Sequence, residues 1–197
     1  PLRNPIRTGR VPHAILLAGP RGTGKTTAAR ILAKVLNCAD PADGEPCCEC
    51  ESCVAIQAGT SFDLHELDAA SNNKVDDMRD LLARVALGTP GRTKVYLLDE
   101  VHMLTPGAEN ALLKTLEEPP PRSLLILIGS HPCKQLPTIR SRCQIIRFRP
   151  LSTANLIDLL LQDGCVENPE QAERLAAQSG GGLEGALVWA DESLWPF

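Results

Sequence analysis

Aromatic side chains are scarce in this 197-residue chain: 3% of the total, with 2 Trp, 1 Tyr and 3 Phe, and only 2 Met beside them. The core must therefore be built mainly of Leu, Ile, Val and Ala. At 43% hydrophobic, the chain can bury a sizeable one, and its length suits one domain plus part of a second. Long apolar runs are missing as well. None approaches the roughly 20 residues that span a bilayer, and no charged-then-apolar signal segment opens the chain. The expectation is a soluble cytoplasmic protein with no membrane partner. Nor is there an excess of basic charge. A net charge of −4 argues against coating nucleic acid by bulk charge and leaves room only for a local basic face.

Cysteine, by contrast, is plentiful. Of eight in all, Cys47, Cys48, Cys50 and Cys53 crowd into seven positions. Without a secretory signal, such crowding points to metal binding before disulfides. The ends of the chain look cut. Pro1 leads into Leu2–Thr8, which reads as the tail of a helix, and Trp195–Phe197 stops just after a helical segment. A fragment of a longer protein is expected.

Strand-length apolar runs recur at Ala14–Ala18, Leu64–Leu67, Val95–Leu98, Leu124–Ile128 and Gln144–Phe148. Between them lie helix-period segments, Lys25–Leu36, Val75–Ala86 and Glu109–Leu116. Near-continuous apolar strands alternating with amphipathic helices indicate an α/β fold, a parallel sheet covered by helices on both faces. After Pro150 the pattern turns helical, at Thr153–Leu161, Pro169–Gln178 and Leu183–Ala190. Asn168-Pro169-Glu170-Gln171 is a strong helix start, with a capping residue, proline in the first turn and Gln three residues after the cap. The expected division is 1–150 and 151–197.

Gly19-Pro20-Arg21-Gly22-Thr23-Gly24-Lys25-Thr26 fits G-x-x-x-x-G-K-[ST], with a strand before it and a helix after it. Glycines let the backbone turn tightly and aim successive N–H groups at one point. The helix that follows adds its N-terminal partial charge. In such a loop Lys25 reaches the β- and γ-phosphates of a nucleotide such as ATP, and the Thr26 hydroxyl can ligate Mg²⁺. The loop needs an acidic partner on a neighbouring strand. Val95-Tyr96-Leu97-Leu98-Asp99-Glu100 supplies two acids at a strand's C-terminal end, where open α/β sheets bind ligands. Asp99 would hold the magnesium through water, and Glu100 would orient and polarise the attacking water. Alone, Asp-Glu after an apolar run is a weak signal, since a strand end reaching solvent looks the same.

Cys38, Cys47, Cys50 and Cys53 are spaced C-x8-C-x2-C-x2-C, an insertion over residues 38–53. Two-residue gaps let neighbouring thiolates converge on one tetrahedral ion, with the first ligand delivered by the end of the preceding helix. Zn²⁺ is favoured over an iron–sulfur cluster, whose ferredoxin spacing needs a later Cys-Pro that is absent. A loop of reduced, unligated cysteines is the plain alternative. Cys48 either competes for the ion or stands outside it. Cys143 and Cys165 read as core residues, and Cys133 is unassigned.

Taken together, "GRVPHAILLAGPRGTGKTTAARILAKVLNC", "DAASNNKVDDMRDLL", "KVYLLDEVHMLT", "NALLKTLEEPP" and "LPTIRSRC" resemble the gamma/tau subunits of the bacterial DNA polymerase III clamp loader, members of the AAA+ ATPases. The resemblance runs from about Gly9 to Cys143. It implies a P-loop NTPase sheet of five strands with a zinc-binding insertion, followed by a helical lid. By resemblance, Gly19, Arg21, Gly22, Thr23, Gly24, Lys25, Thr26 and Thr27 belong to the phosphate site. Arg142, in Ser141-Arg142-Cys143, resembles the finger that enters the neighbouring subunit's ATP site. From the residues alone, Arg140, Arg142, Arg147 and Arg149 are only a basic run. Ser130 stands where the family places a polar sensor of the γ-phosphate, and His13 reads as structural. Two departures stand out. "GSHPCKQLPTIRSRC" is closer to the related delta-prime subunit. In "GGGLEGAL", Glu184 occupies the place of a second sensor arginine, where a carboxylate would repel the γ-phosphate. The chain reads as a gamma-like motor core continued by a delta-prime-like tail.

The implied function is an ATP-binding and ATP-hydrolysing clamp-loader subunit. Its implied partners are delta, delta-prime and further gamma/tau subunits, the sliding clamp, and primed DNA through the assembled complex. The alternative is a non-hydrolysing delta-prime-like scaffold that donates Arg142 to a neighbour. A stand-alone zinc module for nucleic acid leaves the ATPase signature unexplained.

Overall fold

Five short strands, Ala14–Ala18 (β1), Leu64–Asp68 (β2), Lys94–Asp99 (β3), Ser123–Gly129 (β4) and Gln144–Arg147 (β5), form one sheet in the order β2-β3-β4-β1-β5. The computed structural model describes residues 2–86, 92–130, 136–166 and 168–190. Cys133 and Trp195–Phe197 lie outside them. The pairings β2–β3, β3–β4 and β4–β1 are all parallel. The helices in chain order are Arg3–Arg7 (α1), Lys25–Asn37 (α2), Glu51–Ala58 (α3), Val75–Ala86 (α4), Pro106–Glu117 (α5), Pro137–Arg140 (α6), Thr153–Gln162 (α7), Pro169–Gln178 (α8) and Leu183–Ala190 (α9). Contacts divide the chain into two compact units. One comprises residues up to Ala18 and Thr26–Ile146, and the other Gly19–Lys25 with everything from Arg147 onward.

In the first unit the sheet carries the core. β1, β3 and β4 are buried along almost their whole length, as central parallel strands covered on both faces require. Alternate side chains turn to opposite faces. Ala14, Leu16, Tyr96, Leu98, Leu125 and Leu127 join Met78 and Leu81 of α4, Ala108, Leu112 and Leu116 of α5, and Ile139 of α6 in one cluster. The intervening Ile15, Leu17, Val95, Leu97, Leu124, Ile126 and Ile128 are buried just as completely. Removing one such side chain down to alanine costs about 2–5 kcal/mol. Polar ties fix α2 against the strands. Arg30 donates from Nε and Nη2 to the two carboxylate oxygens of Glu66 in β2, both at 2.7 Å. Asn37 gives Nδ2 to the Thr93 carbonyl (2.8 Å) and accepts the Thr93 N–H at Oδ1 (2.9 Å).

β2 departs from the expected apolar run. It is the edge strand, reads Leu-His-Glu-Leu-Asp, and buries only Leu64 fully, because one side of an edge strand faces solvent. α5 begins at Pro106 rather than Glu109, since Thr105 caps it by accepting the Ala108 N–H and proline suits the first turn.

The second unit holds three helices over a small apolar cluster of Leu156, Leu160, Val166, Ala172, Leu175, Ala176 and Ala186. α8 begins where the sequence placed it, with Asn168 Oδ1 accepting the Glu170 N–H at 2.9 Å. Cys165, expected in the core, is exposed. α7 ends in a turn whose Gly164 is left-handed (φ +65°), and Val166 rather than Cys165 then takes the buried place. Cys143 does pack against the sheet's core cluster.

Candidate nucleotide and metal sites

Parallel pairing brings the C-terminal ends of β1, β3 and β4 to one edge of the sheet. β1 runs into the glycine loop, β3 ends at Asp99, and β4, which lies between them, ends at Gly129 just before Ser130. Ser130 is half-buried there. In the loop, Gly22 and Gly24 are left-handed (φ +72° and +80°), a conformation that a side chain disfavours. Gly19 answers to space instead, since a Cβ there would lie 2.3 Å from the Phe148 carbonyl oxygen. Thr23 Oγ1 donates to the Pro20 carbonyl (2.8 Å), and so does Lys25 Nζ (2.5 Å). Lys25 is only 8% exposed. Arg21 is exposed at the loop's outer side, and Thr27 is exposed on the first turn of α2.

Thr26 Oγ1 donates to Asp99 Oδ2 at 3.1 Å, a bond between residues 73 positions apart. The backbone N–H of Glu100 donates to the other oxygen, Oδ1, at 2.8 Å. The Asp99 carboxylate is thus held from both sides. A hydroxyl and a carboxylate are the donors a hard cation takes. The hydroxyl can ligate Mg²⁺ directly and the carboxylate can hold it through one of the waters that the ion keeps. The residues fit that ion. Glu100 is left-handed (φ +49°) and opens a short 3-10 turn, Val101–Met103. Its Oε2 lies 3.2 Å from His102 Nδ1. No spacing or motif announces His102, since only the tight turn after β3 brings it to Glu100.

Arg142 follows α6 and is held within its own chain. Nη2 donates to Glu117 Oε1 at 2.6 Å and Nη1 to the Thr138 carbonyl at 2.9 Å. Its side chain keeps 34% of its surface. Glu117, the last residue of α5, is a partner that spacing did not announce. Glu184 lies at the start of α9, beside the loop. Its Cβ would be 3.2 Å from a Cβ placed on Gly22, and the Leu183 N–H donates to the Gly22 carbonyl at 3.2 Å.

The second cluster lies at the far end of α2. The sulfurs of Cys38, Cys47, Cys50 and Cys53 are all within 4.8 Å of one another. Sulfurs at about 2.3 Å from a central zinc stand about 3.8 Å apart in a tetrahedron, so the four thiols fit Zn²⁺. Cys38 follows directly on α2. Cys50 is the residue before α3 and Cys53 lies in that helix's first turn, so α3 sets their separation. This helix is not among the segments expected from periodicity, and its buried positions are Ser52, Cys53 and Ile56. Between Cys38 and Cys47 the chain reverses at Asp43-Gly44, both left-handed, with Ala42 and Glu45 paired across the turn. Backbone N–H groups already point at sulfur, Cys47 N to Cys38 Sγ (3.2 Å) and Cys50 N to Cys47 Sγ (3.4 Å). Hydrogen bonds from the Ala39 and Cys53 backbone bring the Cys50 thiol down to about 6. Burial, and then the neighbouring Cys50 sulfur, push Cys53 up to about 12. Hydrogen bonds favour the thiolate at Cys50 while burial resists it at Cys53, a tension that a divalent cation relieves. Cys48 is exposed, left-handed (φ +62°) and outside the group of four. No disulfide links the described cysteines.

A parallel five-stranded sheet in this order, with a G-x-x-x-x-G-K-[ST] loop after β1 and an Asp-Glu pair after β3, defines an AAA+ P-loop NTPase fold. The same fold is seen in the Thermotoga maritima RuvB Holliday junction branch migration motor, with a TM-score of 0.67 at 21% identity over 96% of this chain and 56% of that one. More particularly, the chain belongs to the family described as DNA polymerase III, delta subunit, whose family model matches residues 1–152. It is 42% identical over 98% of its length to the DNA polymerase III subunit tau of Bacillus subtilis, and 42% over 98% to that of Escherichia coli. To the gamma/tau subunit of Mycobacterium tuberculosis H37Rv it is 44% identical over 92%. It spans 35%, 31% and 32% of those three proteins, about a third of the relatives it matches. Among the described residues, no helix is long and apolar enough to cross a membrane.

Proposed function

We propose that this chain is the ATP-binding and ATP-hydrolysing part of a bacterial clamp-loader subunit. Residues 1–150 form its nucleotide-binding domain, 38–53 a zinc clip and 151–197 a lid. The observation that carries the reading is the Thr26–Asp99 bond, which joins the end of the phosphate loop to the acid strand. Backbone N–H groups of Gly19 and of Arg21 to Gly24, with the Arg21, Thr23 and Thr27 side chains around them, would donate to phosphate oxygens, and Lys25 would neutralise the β- and γ-phosphates. Thr26 and Asp99 would hold Mg²⁺, whose chemistry when bound is to neutralise charge on the phosphate oxygens. Glu100 would orient the attacking water, and Ser130, at the end of the strand between loop and acids, would touch the γ-phosphate. Cys38, Cys47, Cys50 and Cys53 would close around Zn²⁺ as a structural site with no open position.

Arg142 would act on a neighbouring subunit's nucleotide. Its bond to Glu117 supports the view that it is held ready on its own chain rather than used there. The names of the relatives support companion DNA polymerase III subunits as partners; a sliding clamp and primed DNA are the further partners of this reading. In a loader reconstituted with this chain as the sole active ATP site, Lys25→Ala should abolish clamp loading. Normal loading by that variant would refute the assignment.

One observation favours a second reading. Glu184 has its Cβ beside the Gly22 turn, which suits a delta-prime-like scaffold that does not hydrolyse ATP and serves only by donating Arg142. Loading that survives Lys25→Ala but fails with Arg142→Ala would select it.

A further inference from the structure

Resting on the reading of Glu100 as the water-orienting carboxylate, we infer that His102 is a positioning residue that sets the direction of the Glu100 side chain. The turn after β3 is fixed in every direction. Val101 is fully buried at 0% exposure. The Met103 N–H donates to the Glu100 carbonyl at 2.8 Å and the Leu104 N–H to the Val101 carbonyl at 3.3 Å. Glu100 itself is left-handed, a conformation uncommon for a residue with a side chain and one that persists only where the surroundings impose it. With Val101 pinned inward, the residues on either side of it are brought together. Their side chains keep only 16% and 14% of their surface, and Nδ1 stands 3.2 Å from Oε2.

The contact is close but not aligned. His102 Nδ1 is a buried polar atom that makes no hydrogen bond, so its capacity to donate is unspent beside a carboxylate. A small rotation of either side chain turns the contact into a charge-assisted bond, or ends it. The same carboxylate belongs to a residue whose backbone N–H is already committed to Asp99. The imidazole, 3.2 Å from the carboxylate, restricts the side-chain torsion. Orientation of this kind matters, since a misplacement of about 1 Å costs on the order of 100-fold in rate.

The test uses this chain assembled with its companion subunits and primed DNA, turning over MgATP. His102→Ala should lower kcat about tenfold while KM stays within about twofold, as expected when positioning and not binding is lost. His102→Asn, whose amide nitrogen falls at the place of Nδ1, should recover most of the rate, whereas His102→Gln, which reaches further, should not. Combined with Glu100→Gln, His102→Ala should have no further effect, because both act through one group. In the free chain, the ring-nitrogen NMR signal that disappears in His102→Asn should shift in Glu100→Gln. Equal rates for the Asn and Gln variants, or an unshifted ring signal, overturn the inference. So does a wild-type kcat for His102→Ala beside inactive Lys25→Ala and Glu100→Gln, an outcome that leaves the nucleotide site standing. A Lys25→Ala variant with full turnover removes the nucleotide site and this role together.

Discussion

The two ends of α2 carry two proposed sites built in opposite ways. At its start, Thr26 depends on a partner brought in by the sheet, Asp99, 73 positions away. At its end, Cys38 belongs to a cluster drawn from sixteen consecutive positions. The first site exists only if β1, β4 and β3 assemble in order. The second needs only a turn, a short helix and an ion. The nucleotide site should therefore fail all at once when a central residue is changed, and the metal site should fail locally, with its cost felt as stability.

The largest effect that would break this contrast is at the loop. Lys25→Ala should weaken MgATP binding by at least about 100-fold while leaving the melting temperature within a few degrees, because a partly buried ammonium contributes most when its anion is present. A calorimetric titration together with a thermal melt checks both halves. Next comes the cysteine cluster. Cys50→Ser should abolish binding of one zinc per chain by metal analysis. A loss of ~3 kcal/mol from the missing metal corresponds to a melting temperature lower by about 6–12 °C. Freshly purified wild-type protein without zinc would count strongly against the clip.

A smaller effect sharpens the nucleotide half. Glu184→Arg reverses the charge beside Gly22, so ATP affinity should rise about three- to tenfold and ADP affinity by less. An equal change for both nucleotides would remove the electrostatic role of that position. Smallest is a reactivity difference among thiols. With zinc chelated, Cys50, held at about 6, becomes thiolate as pH rises through 6. Its alkylation rate should climb there and level off by neutrality. Cys143, pushed up to about 11 by burial, should stay unreactive until strongly alkaline pH. Peptide mapping after a short alkylation pulse separates the two.

The same contrast explains what the sequence made legible. Strands β1, β3 and β4 were readable because central parallel strands are apolar along their length, and α8 because Asn168 and Pro169 mark its start. The loop and the Cys38–Cys53 spacing are local patterns that their chemistry requires, so residue order alone announces them. What escaped depends on three-dimensional neighbours. β2 is an edge strand whose Glu66 is polar because it meets Arg30. α3 is short, carries Cys53 and follows directly on Cys50, so metal spacing masked its helical period. Cys165 reads as a core residue because it is apolar, yet the turn at Gly164 puts Val166 in the buried place. The pairings His102–Glu100 and Arg142–Glu117 link residues whose nearness is decided by a turn and by helix packing.

The central claim is that Thr26 and Asp99 complete a magnesium-dependent nucleotide site with Lys25. Its most direct test is a titration of this chain with ATP, with and without Mg²⁺, for the wild type, Asp99→Asn and Lys25→Ala. Binding that is strengthened by Mg²⁺ in the wild type, loses that dependence in Asp99→Asn and disappears in Lys25→Ala is the predicted result. The same affinity in all three proteins, indifferent to the metal, would contradict it.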